Sequence, residues 1–194
     1  MDSTFDGANS REGNGAGVLL ISPTGKWVPL SFKLEYEATN NVAEYEALLL
    51  GLQTAKSMGV QSLKVLGDSE LVVRQVRNQC QTKHPRLRAY RNEVWDMVEK
   101  FFLAFNIQFM PQEHNRMVDS LPVASSTFHP PQNPLLRYEI EVCYRPSIPD
   151  NIKHLQVFED DEKMKRFLET VGEFSNMEID DCEKEEIENI SENN

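Results

Sequence analysis

Four acidic residues lie near the predicted ends of strands and helices, where side chains often carry function. They are Asp6, Glu44, Asp68 and Asp119. Carboxylate oxygens without a histidine or cysteine donor favour a hard cation such as Mg²⁺ or Mn²⁺. Because carboxylates that hold two such ions serve in-line displacement at phosphate, the set predicts phosphoryl-transfer chemistry of the nuclease or polymerase kind.

Glu44 lies on the face that we predict to be buried in a helix over residues 41–58. That face also carries Leu48, Leu52 and Ala55, whereas Glu46, Gln53 and Ser57 lie elsewhere on the helix. A buried carboxylate must be protonated, paired or bound to a metal. Its position therefore indicates a functional role.

Each acid also has an ordinary structural explanation. Glu44 could form a capping box with Asn41, Asp6 could form a turn, and Asp68 and Asp119 could cap helices. Each explanation is as good as a functional one when taken singly. Four acids at the ends of elements favour a shared site.

The elements that must position these acids alternate between strand and helix. Residues 15–29 read as a hairpin, 62–69 and 104–111 as strands, and 70–79, 86–102 and 115–126 as helices. The second of these helices has a clear apolar stripe of Leu87, Tyr90, Val94, Trp95, Val98 and Phe102. The order predicts a mixed α/β domain.

Composition divides the chain into a body and a tail. The net charge is −11 over 194 residues, but residues 159–194 hold 14 acidic and 4 basic residues, which leaves residues 1–158 almost neutral. We predict a domain over 1–128, a proline-containing linker over 129–158, a short amphipathic helix within 159–176 and a disordered acidic tail over 177–194.

The cysteines and the N-terminus favour an intracellular protein, cytoplasmic or nuclear. Cys80, Cys143 and Cys182 are widely spaced and odd in number, so they indicate neither a disulfide framework nor a zinc site. No secretory signal and no apolar run of membrane-spanning length is evident.

Four stretches around the acids resemble, in order and spacing, the motifs of type 1 ribonuclease H. They are FDGAN with the following GAGVLL, then TNNVAEYEALLLGL, LGDSELVVRQV and NRMVDSL. The resemblance covers about residues 3–128. More narrowly, the chain looks like the ribonuclease H domain of a plant gypsy-type LTR retrotransposon polyprotein, and residues 139–169 resemble the connector that follows this domain.

This resemblance implies a ribonuclease H-like mixed central sheet flanked by helices, with an extended C-terminal linker and an acidic tail. It implies endonucleolytic cleavage of the RNA strand of RNA–DNA hybrids by two Mg²⁺ ions, with Mn²⁺ as a substitute. In the family pattern Asp6 bridges the two ions, Glu44 and Asp68 complete one site, and Asp119 helps to hold the other.

The resemblance also implies contacts with the hybrid. Asn40 and Asn41 match paired asparagines that contact the minor groove, where 2′-hydroxyl groups distinguish RNA from DNA. Three further residues beside the acids, Gly7, Ser69 and Asn115, are assigned to substrate binding with them.

A basic segment over residues 71–92 contains no acidic residue. Its cations are Arg74, Arg77, Lys83, Arg86, Arg88 and Arg91. A solvated helix face is one explanation. Beside a phosphate-cleaving site we favour a stripe that contacts the nucleic-acid backbone, with Arg74, Arg77, Arg86 and Arg88 as its contacts.

Three features depart from the family pattern. Met1 is only five residues before Asp6, so we expect a shortened first strand. Pro122 lies in the predicted helix of Asp119, where the family has alanine, and an internal proline costs about 3 kcal/mol. His114 does not match the mobile-loop histidine of cellular relatives, so we assign it no catalytic role.

Two other functions stay open. One is a catalytically inactive retrotransposon-derived remnant with residual nucleic-acid binding. The other is an integrase-like strand-transfer enzyme, against which the order Asp, Glu, Asp, Asp argues because integrases place their glutamate last. The expected partner is an RNA–DNA hybrid, with no membrane and no zinc, and the chain is expected to act as a monomer or within a larger reverse-transcriptase polyprotein.

Overall fold

The computed structural model describes residues 1–10, 13–112, 141–149 and 180–181. The elements in chain order are β1 (Asp2–Ser10), β2 (Gly13–Ile21), β3 (Trp27–Leu34), α1 (Asn40–Ser57), β4 (Ser62–Gly67), α2 (Glu70–Val76), β5 (Cys80–Gln81), α3 (Pro85–Phe101), β6 (Ala104–Phe109), β7 (Glu141–Cys143) and β8 (Asp180–Asp181). The predicted α/β class is confirmed. The helices predicted over 115–126 and 159–171 lie outside the described residues.

A mixed sheet of six strands forms the centre of the fold, in the order β6-β4-β1-β2-β3-β7. β1 pairs antiparallel with β2 and parallel with β4, and β4 pairs parallel with β6. The predicted hairpin is present as β2 and β3, which are antiparallel. Its turn uses Gly25 at a φ of 79°, a conformation that glycine adopts without strain.

Helix α1 lies between the sheet and another helix. It packs against β1 and β2 on one side, and α3 packs against its other side. The apolar stripe predicted for α3 is confirmed, since all six of its side chains are buried. With neighbours on both sides, α1 is buried around most of its circumference.

The prediction that Glu46 lies away from the buried face of α1 is wrong. Its side chain is 1% exposed, while Glu44 is only partly buried. A helical wheel identifies one apolar face, but α1 needs two because α3 covers its outer side. Glu46 belongs to this second buried face.

The first strand is not short. β1 has nine residues and pairs with β2 along its whole length, from Asp2 with Ile21 to Ser10 with Gly13. The sequence pattern predicts Asp6 at the end of a short first strand, but it lies in the middle of β1. The strand extends past Asp6 because β2 continues to offer hydrogen-bonding partners there.

Residues 141–149 fall within the predicted linker, yet they pack on the body. β7 pairs parallel with the edge of β3, and Ile148 is 6% exposed within the hydrophobic core. In the predicted acidic tail, Asp180 and Asp181 pair with Cys80 and Gln81 and so form strand at these two positions. The division of the chain into domain, linker and tail stays a prediction.

The cysteines differ from expectation at one position. Cys80 is fully buried and disulfide-bonded, whereas Cys143 carries a free thiol. The interpretation that the cysteines indicate no disulfide framework is therefore wrong at Cys80.

Within the described ranges, no helix is both long enough and apolar enough to cross a membrane.

Candidate active site

The register of the sheet brings Asp6 and Asp68 together. The parallel pairing of β1 and β4 ends with Phe5 opposite Gly67. Asp6 follows Phe5 and Asp68 follows Gly67 in the sequence, so both carboxylates lie just past the last parallel pair. This is the carboxyl edge of two neighbouring parallel strands, where ligands bind in open α/β sheets.

Gly7 brings the third acid to this edge. A Cβ atom placed on Gly7 would lie 2.3 Å from the carbonyl carbon of Ala43 and 2.4 Å from the amide nitrogen of Glu44. Only glycine lets the backbone of β1 approach the first turns of α1 so closely. The close approach places Glu44 next to Asp6.

The result is a cluster of three carboxylates. One ligand oxygen from each of Asp6, Glu44 and Asp68 lies within 4.8 Å of the other two, and all three residues are partly buried. Like charges at this separation repel one another unless a cation offsets them. An all-oxygen donor set suits a hard divalent ion and not zinc.

The helix caps are formed by other residues. α1 begins at Asn40 and is capped by Thr39, whose hydroxyl accepts the N–H of Val42. α2 is capped by Ser69, whose hydroxyl accepts the N–H of Val72. The capping explanations for Glu44 and Asp68 are thus wrong, because the hydroxyls of Thr39 and Ser69 cap the two helices.

The cluster lines a cleft of about 500 Å³. Its walls are Asp6, Gly7, Ala8, Asn9, Asn40, Asn41, Glu44, Asp68, Ser69, Glu70, Leu71 and Gln112. The structure therefore brings together the predicted residues of the first three motifs. Asp119 and Asn115 lie outside the described residues.

The two asparagines at the start of α1 differ in exposure. Asn40 is exposed, whereas Asn41 is 6% exposed. Asn40 is therefore placed to touch a ligand in the cleft directly, and Asn41 mainly packs inside the fold.

The predicted arginine contacts do not line this cleft. Arg74 and Arg77 lie at the end of α2, and Arg86 and Arg88 lie in the first turns of α3. All four are partly exposed. Arg88 also donates from Nε to the Thr82 carbonyl at 3.1 Å, so part of its side chain is used within the fold.

Arg91, the last cation of the basic segment, is a core residue. It is 5% exposed, donates to the Asn92 side-chain oxygen at 3.1 Å and lies 4.3 Å from the ring centre of Trp95. The guanidinium is satisfied internally and cannot contact nucleic acid.

The sequence did not reveal the side chains that hold the loop in front of α1. The Asn9 amide donates to the Ala38 carbonyl at 2.7 Å, and the Asn14 amide donates to the Tyr36 carbonyl at 2.6 Å. Both asparagines belong to the β1–β2 hairpin, so they fix the loop relative to Asp6. Asparagine is common in turns, and nothing in the linear pattern marks these two as long-range donors.

A second group that the sequence did not reveal surrounds Glu46. The Tyr90 hydroxyl donates to Glu46 Oε1, and Ser147 donates its backbone N–H to Oε1 at 2.7 Å and its hydroxyl to Oε2 at 2.6 Å. Burial, reinforced by the Glu46 charge, raises the pKa of Tyr90 well above its ordinary value. The pKa of Tyr36 is raised by the same two causes.

Comparison with known protein families gives a match over more than half of the chain. A family model described as "Reverse transcriptase-like" matches residues 2–124. Over 119 residues the chain is 33% identical to ribonuclease HI of Halobacterium salinarum. The matched region covers 60% of this chain and 59% of that protein. It is also 37% identical over 84 residues to a bifunctional protein of Mycobacterium tuberculosis, where the match spans 23% of that protein. The chain thus spans less than two thirds of the length of these relatives.

Solved structures share the fold. The crystal structure of RNase H1 from Halobacterium salinarum superposes with a TM-score of 0.60 at 30% identity and covers 64% of this chain and 95% of that chain. LC11-RNase H1, solved in complex with an RNA/DNA hybrid, gives a TM-score of 0.56 at 26% identity and covers 64% of this chain and 94% of its own.

Proposed function

Because this chain belongs to the reverse transcriptase-like family, we propose that it is a ribonuclease H that cleaves the RNA strand of RNA–DNA hybrids. The observation that carries the proposal is the cluster of Asp6, Glu44 and Asp68, with ligand oxygens within 4.8 Å of one another in an open cleft. Similarity to ribonuclease HI and to an RNase H1 solved with an RNA/DNA hybrid supports it.

The donor set fits Mg²⁺, with Mn²⁺ as a substitute, because it consists of carboxylate oxygens. We propose that Asp6 would contribute to both ion sites, that Glu44 and Asp68 would complete one of them, and that Asp119 would help to hold the other. Bound divalent ions would supply an activated water and charge stabilisation at the leaving 3′ oxygen.

The protein's own side chains bind and orient the hybrid. Asn40, exposed at the rim of the cleft, is our first candidate for a minor-groove contact, with Asn41 behind it. Gly7 and Ser69 would act through backbone and hydroxyl groups at the cleft wall. We assign Asn115 the same role on the strength of its motif.

The arginines would extend binding away from the chemical site. Arg74, Arg77, Arg86 and Arg88 lie on α2 and α3, outside the cleft wall, so we propose that they contact phosphates flanking the scissile position. Such contacts increase affinity and position the duplex without reading its sequence.

The genetic context is part of the proposal. We infer that the chain comes from a plant gypsy-type LTR retrotransposon polyprotein, in which this domain accompanies a reverse transcriptase. The motif resemblance supports this origin. The matching family model is described as "Reverse transcriptase-like", which fits a domain that accompanies a reverse transcriptase.

The decisive experiment is cleavage of an RNA–DNA hybrid by Asp68→Asn. Loss of one carboxylate should reduce Mg²⁺-dependent cleavage at least about a hundredfold, because electrostatic stabilisation at such sites is worth that much. Hybrid binding should survive, since a negative charge near the phosphates is removed. Asp2→Asn is the matched control, because Asp2 is exposed on β1 and does not line the cleft, and it should cut like wild type.

Thermal melting gives a readout that does not need activity. Without divalent ions, Asp68→Asn should melt a few degrees higher than wild type, because one member of a repelling cluster is gone. Mg²⁺ should raise the melting temperature of wild type and not that of the variant. Equal responses to Mg²⁺ in both proteins would contradict the metal assignment.

The cleavage assay, together with a hybrid-binding measurement, also separates the proposal from the inactive alternative. If wild type binds hybrid and does not cut it, and Pro122→Ala also fails to cut, the chain is a binding remnant. If only Pro122→Ala cuts, the site assignment is correct and this copy carries a damaging proline.

A further inference from the structure

Residues 141–149 lie outside the part of the chain that matches the family, yet they are packed into it. Glu141, Val142 and Cys143 pair with Phe32, Lys33 and Leu34, and the Glu35 N–H donates to the Cys143 carbonyl at 2.9 Å. Val142 and Tyr144 point outward, at 38% and 75% exposure. Cys143 packs against the core between them, as the alternation of a strand requires.

Two further contacts follow the strand. Ile148 is buried in the main core, and Ser147 gives two donors to the carboxylate of Glu46. The segment is thus held by main-chain pairing, by an apolar side chain and by a charge-assisted pair of hydrogen bonds. The three modes are independent, because they involve different residues of the segment and different parts of the body.

Glu46 is the part of the body that makes this contact specific. It is 1% exposed, so its charge is stable only if donors surround it. Tyr90 supplies one hydrogen bond, and Ser147 supplies two, one to each carboxylate oxygen. Among the described contacts, most of the hydrogen bonding to this carboxylate therefore comes from the segment.

We propose that the edge of β3 together with Glu46 is a docking site, and that its occupant is residues 141–149 of this same chain. The mode is addition of a strand to an open sheet edge, with alternate side chains giving specificity. Glu46 recognises a residue that offers both a backbone N–H and a hydroxyl, and the β3 edge accepts the preceding strand. The functional domain therefore extends beyond the region of family similarity.

Cys143 provides a built-in reporter of docking. Its thiol is free, and burial, followed by the charges of Glu141 and Glu46, raises its pKa to about 11. A released segment would expose a thiol of ordinary pKa, near 8.5. The thiolate fraction at neutral pH would then rise by more than about a hundredfold, offset in part by the lower nucleophilicity of the less basic thiolate, so alkylation should accelerate about tenfold or more.

The experiment compares Ser147→Asp with Ser147→Asn in the full chain. Aspartate places a second negative charge beside Glu46, whereas asparagine has the same shape, no charge and an N–H donor for the carboxylate. Iodoacetamide labelling at pH 7.5, read by mass spectrometry of the peptide containing Cys143, should be about tenfold faster in Ser147→Asp than in wild type. Ser147→Asn should stay within about threefold of wild type.

A compensating variant identifies Glu46 as the receptor. Glu46→Gln combined with Ser147→Asp replaces the repelling pair with an amide that donates to the new carboxylate. This double variant should return labelling to near the rate of Glu46→Gln alone, which isolates the pairwise coupling. The cycle compares wild type, the two single variants and the double variant. If Ser147→Asp simply unfolded the protein, adding Glu46→Gln would not slow the labelling of Cys143. Slower labelling in the double variant therefore shows that the pair of residues 46 and 147 is responsible.

Clear results would overturn the proposal. Wild-type labelling of Cys143 in Ser147→Asp, or equal acceleration in Ser147→Asn, would show that Glu46 does not select the segment. Failure of the double variant to slow labelling would show the same. A dimeric wild type that becomes monomeric in Ser147→Asp, measured by light scattering, would mean that the segment comes from a second copy.

Discussion

At the scale of single residues, the site depends on a glycine as much as on its acids. Asp6 and Asp68 are neighbours because the pairing of β1 with β4 ends at Phe5 and Gly67. Glu44 joins them only because Gly7 has no Cβ to keep α1 away from β1. The geometry of the carboxylates is thus set by backbone contact.

Gly7→Ala should therefore separate Glu44 from Asp6. The added methyl would lie 2.3 Å from the backbone carbonyl carbon of Ala43, which cannot turn aside as a side chain can. We expect a loss of about 1–3 kcal/mol in the free energy of unfolding, as for overpacked cores, and loss of the Mg²⁺-dependent rise in melting temperature. Urea unfolding and melting with and without Mg²⁺ measure both effects.

Gly51→Ala is the matched control for this prediction. Gly51 lies in α1, the helix that Gly7 contacts. A Cβ added to Gly51 would meet a Val18 side-chain methyl at 3.2 Å and no backbone atom. Alanine also favours a helix over glycine by about 1 kcal/mol, so this variant should be near neutral and keep its Mg²⁺ response. Equal damage from both substitutions would show that the Gly7 contact is not specific to the site.

The buried tyrosines around Glu46 make stability depend on alkaline pH. The folded-state pKa values of Tyr90 and Tyr36 are raised above 10.0, first by burial and then by Glu46. The unfolded chain releases these protons near pH 10, while the folded chain retains them. The free energy of unfolding should stay level below about pH 9 and fall as the pH rises through about 10.

Tyr90→Phe tests the source of this alkaline loss. The variant should be less stable at pH 7, because Glu46 loses a donor, but its free energy of unfolding should fall less steeply between pH 9 and 11, since one titrating group is gone. Urea titrations at each pH give the slopes. Parallel curves for wild type and Tyr90→Phe would assign the loss to other groups.

At the scale of elements, α1 links the candidate site to the rest of the fold. Its first turn carries Asn40 and Asn41, its second carries Glu44, and the opposite side of the same stretch carries Glu46. The helix is clamped between the sheet and α3, so its rotation is fixed. Its start is set by the hydroxyl of Thr39.

Thr39→Ala should loosen the beginning of α1. Loss of the cap costs about 1 kcal/mol and allows the first turn, with Asn40, to fray. We expect hybrid affinity to fall several-fold, because ordering this turn would then be part of binding. Thr39→Ser keeps the capping oxygen and should retain affinity and stability in the same binding and urea titrations. A fully stable Thr39→Ala would mean that packing alone sets the helix start.

At the scale of the whole molecule, charge is separated along the chain. The net charge of −11 arises almost wholly in residues 159–194, which hold 14 acidic and 4 basic residues. In the body, Arg74 and Arg77 lie at the end of α2, and Arg86 and Arg88 lie in the first turns of α3. A polyanionic ligand is therefore attracted by one part of the molecule and repelled by another.

Removal of residues 159–194 should tighten binding to hybrid at low salt. We expect a several-fold gain in affinity near 50 mM salt that disappears as salt rises, because screening shortens the range of repulsion from about 10 Å at 0.1 M to about 3 Å at 1 M. A tail of equal length with glutamine and asparagine in place of its acids is the control for charge. Fluorescence anisotropy across a salt series measures the effect, and a gain that persists at high salt would contradict an electrostatic origin.

The sequence alone determined much of the fold and the position of the acids. Alternating and helical apolar patterns located the β2–β3 hairpin, β4, α3 and β6, because burial imposes these periods wherever one side faces a core. The motifs around Asp6, Glu44 and Asp68 identified three acids that the structure brings together. Local chemistry and motif order were enough for this.

Tertiary structure decided what depends on neighbours distant in sequence. The cap of α1 is Thr39 and not Asn41, Arg91 is buried against Trp95, and Glu46 is paired with Ser147, 101 residues further along the chain. A helical-wheel projection of α1, or a count of charges in a segment, assumes that each segment faces solvent on one side. Packing on two sides reverses that assumption, because burial and hydrogen bonding of a side chain are set by whatever element comes to lie against it.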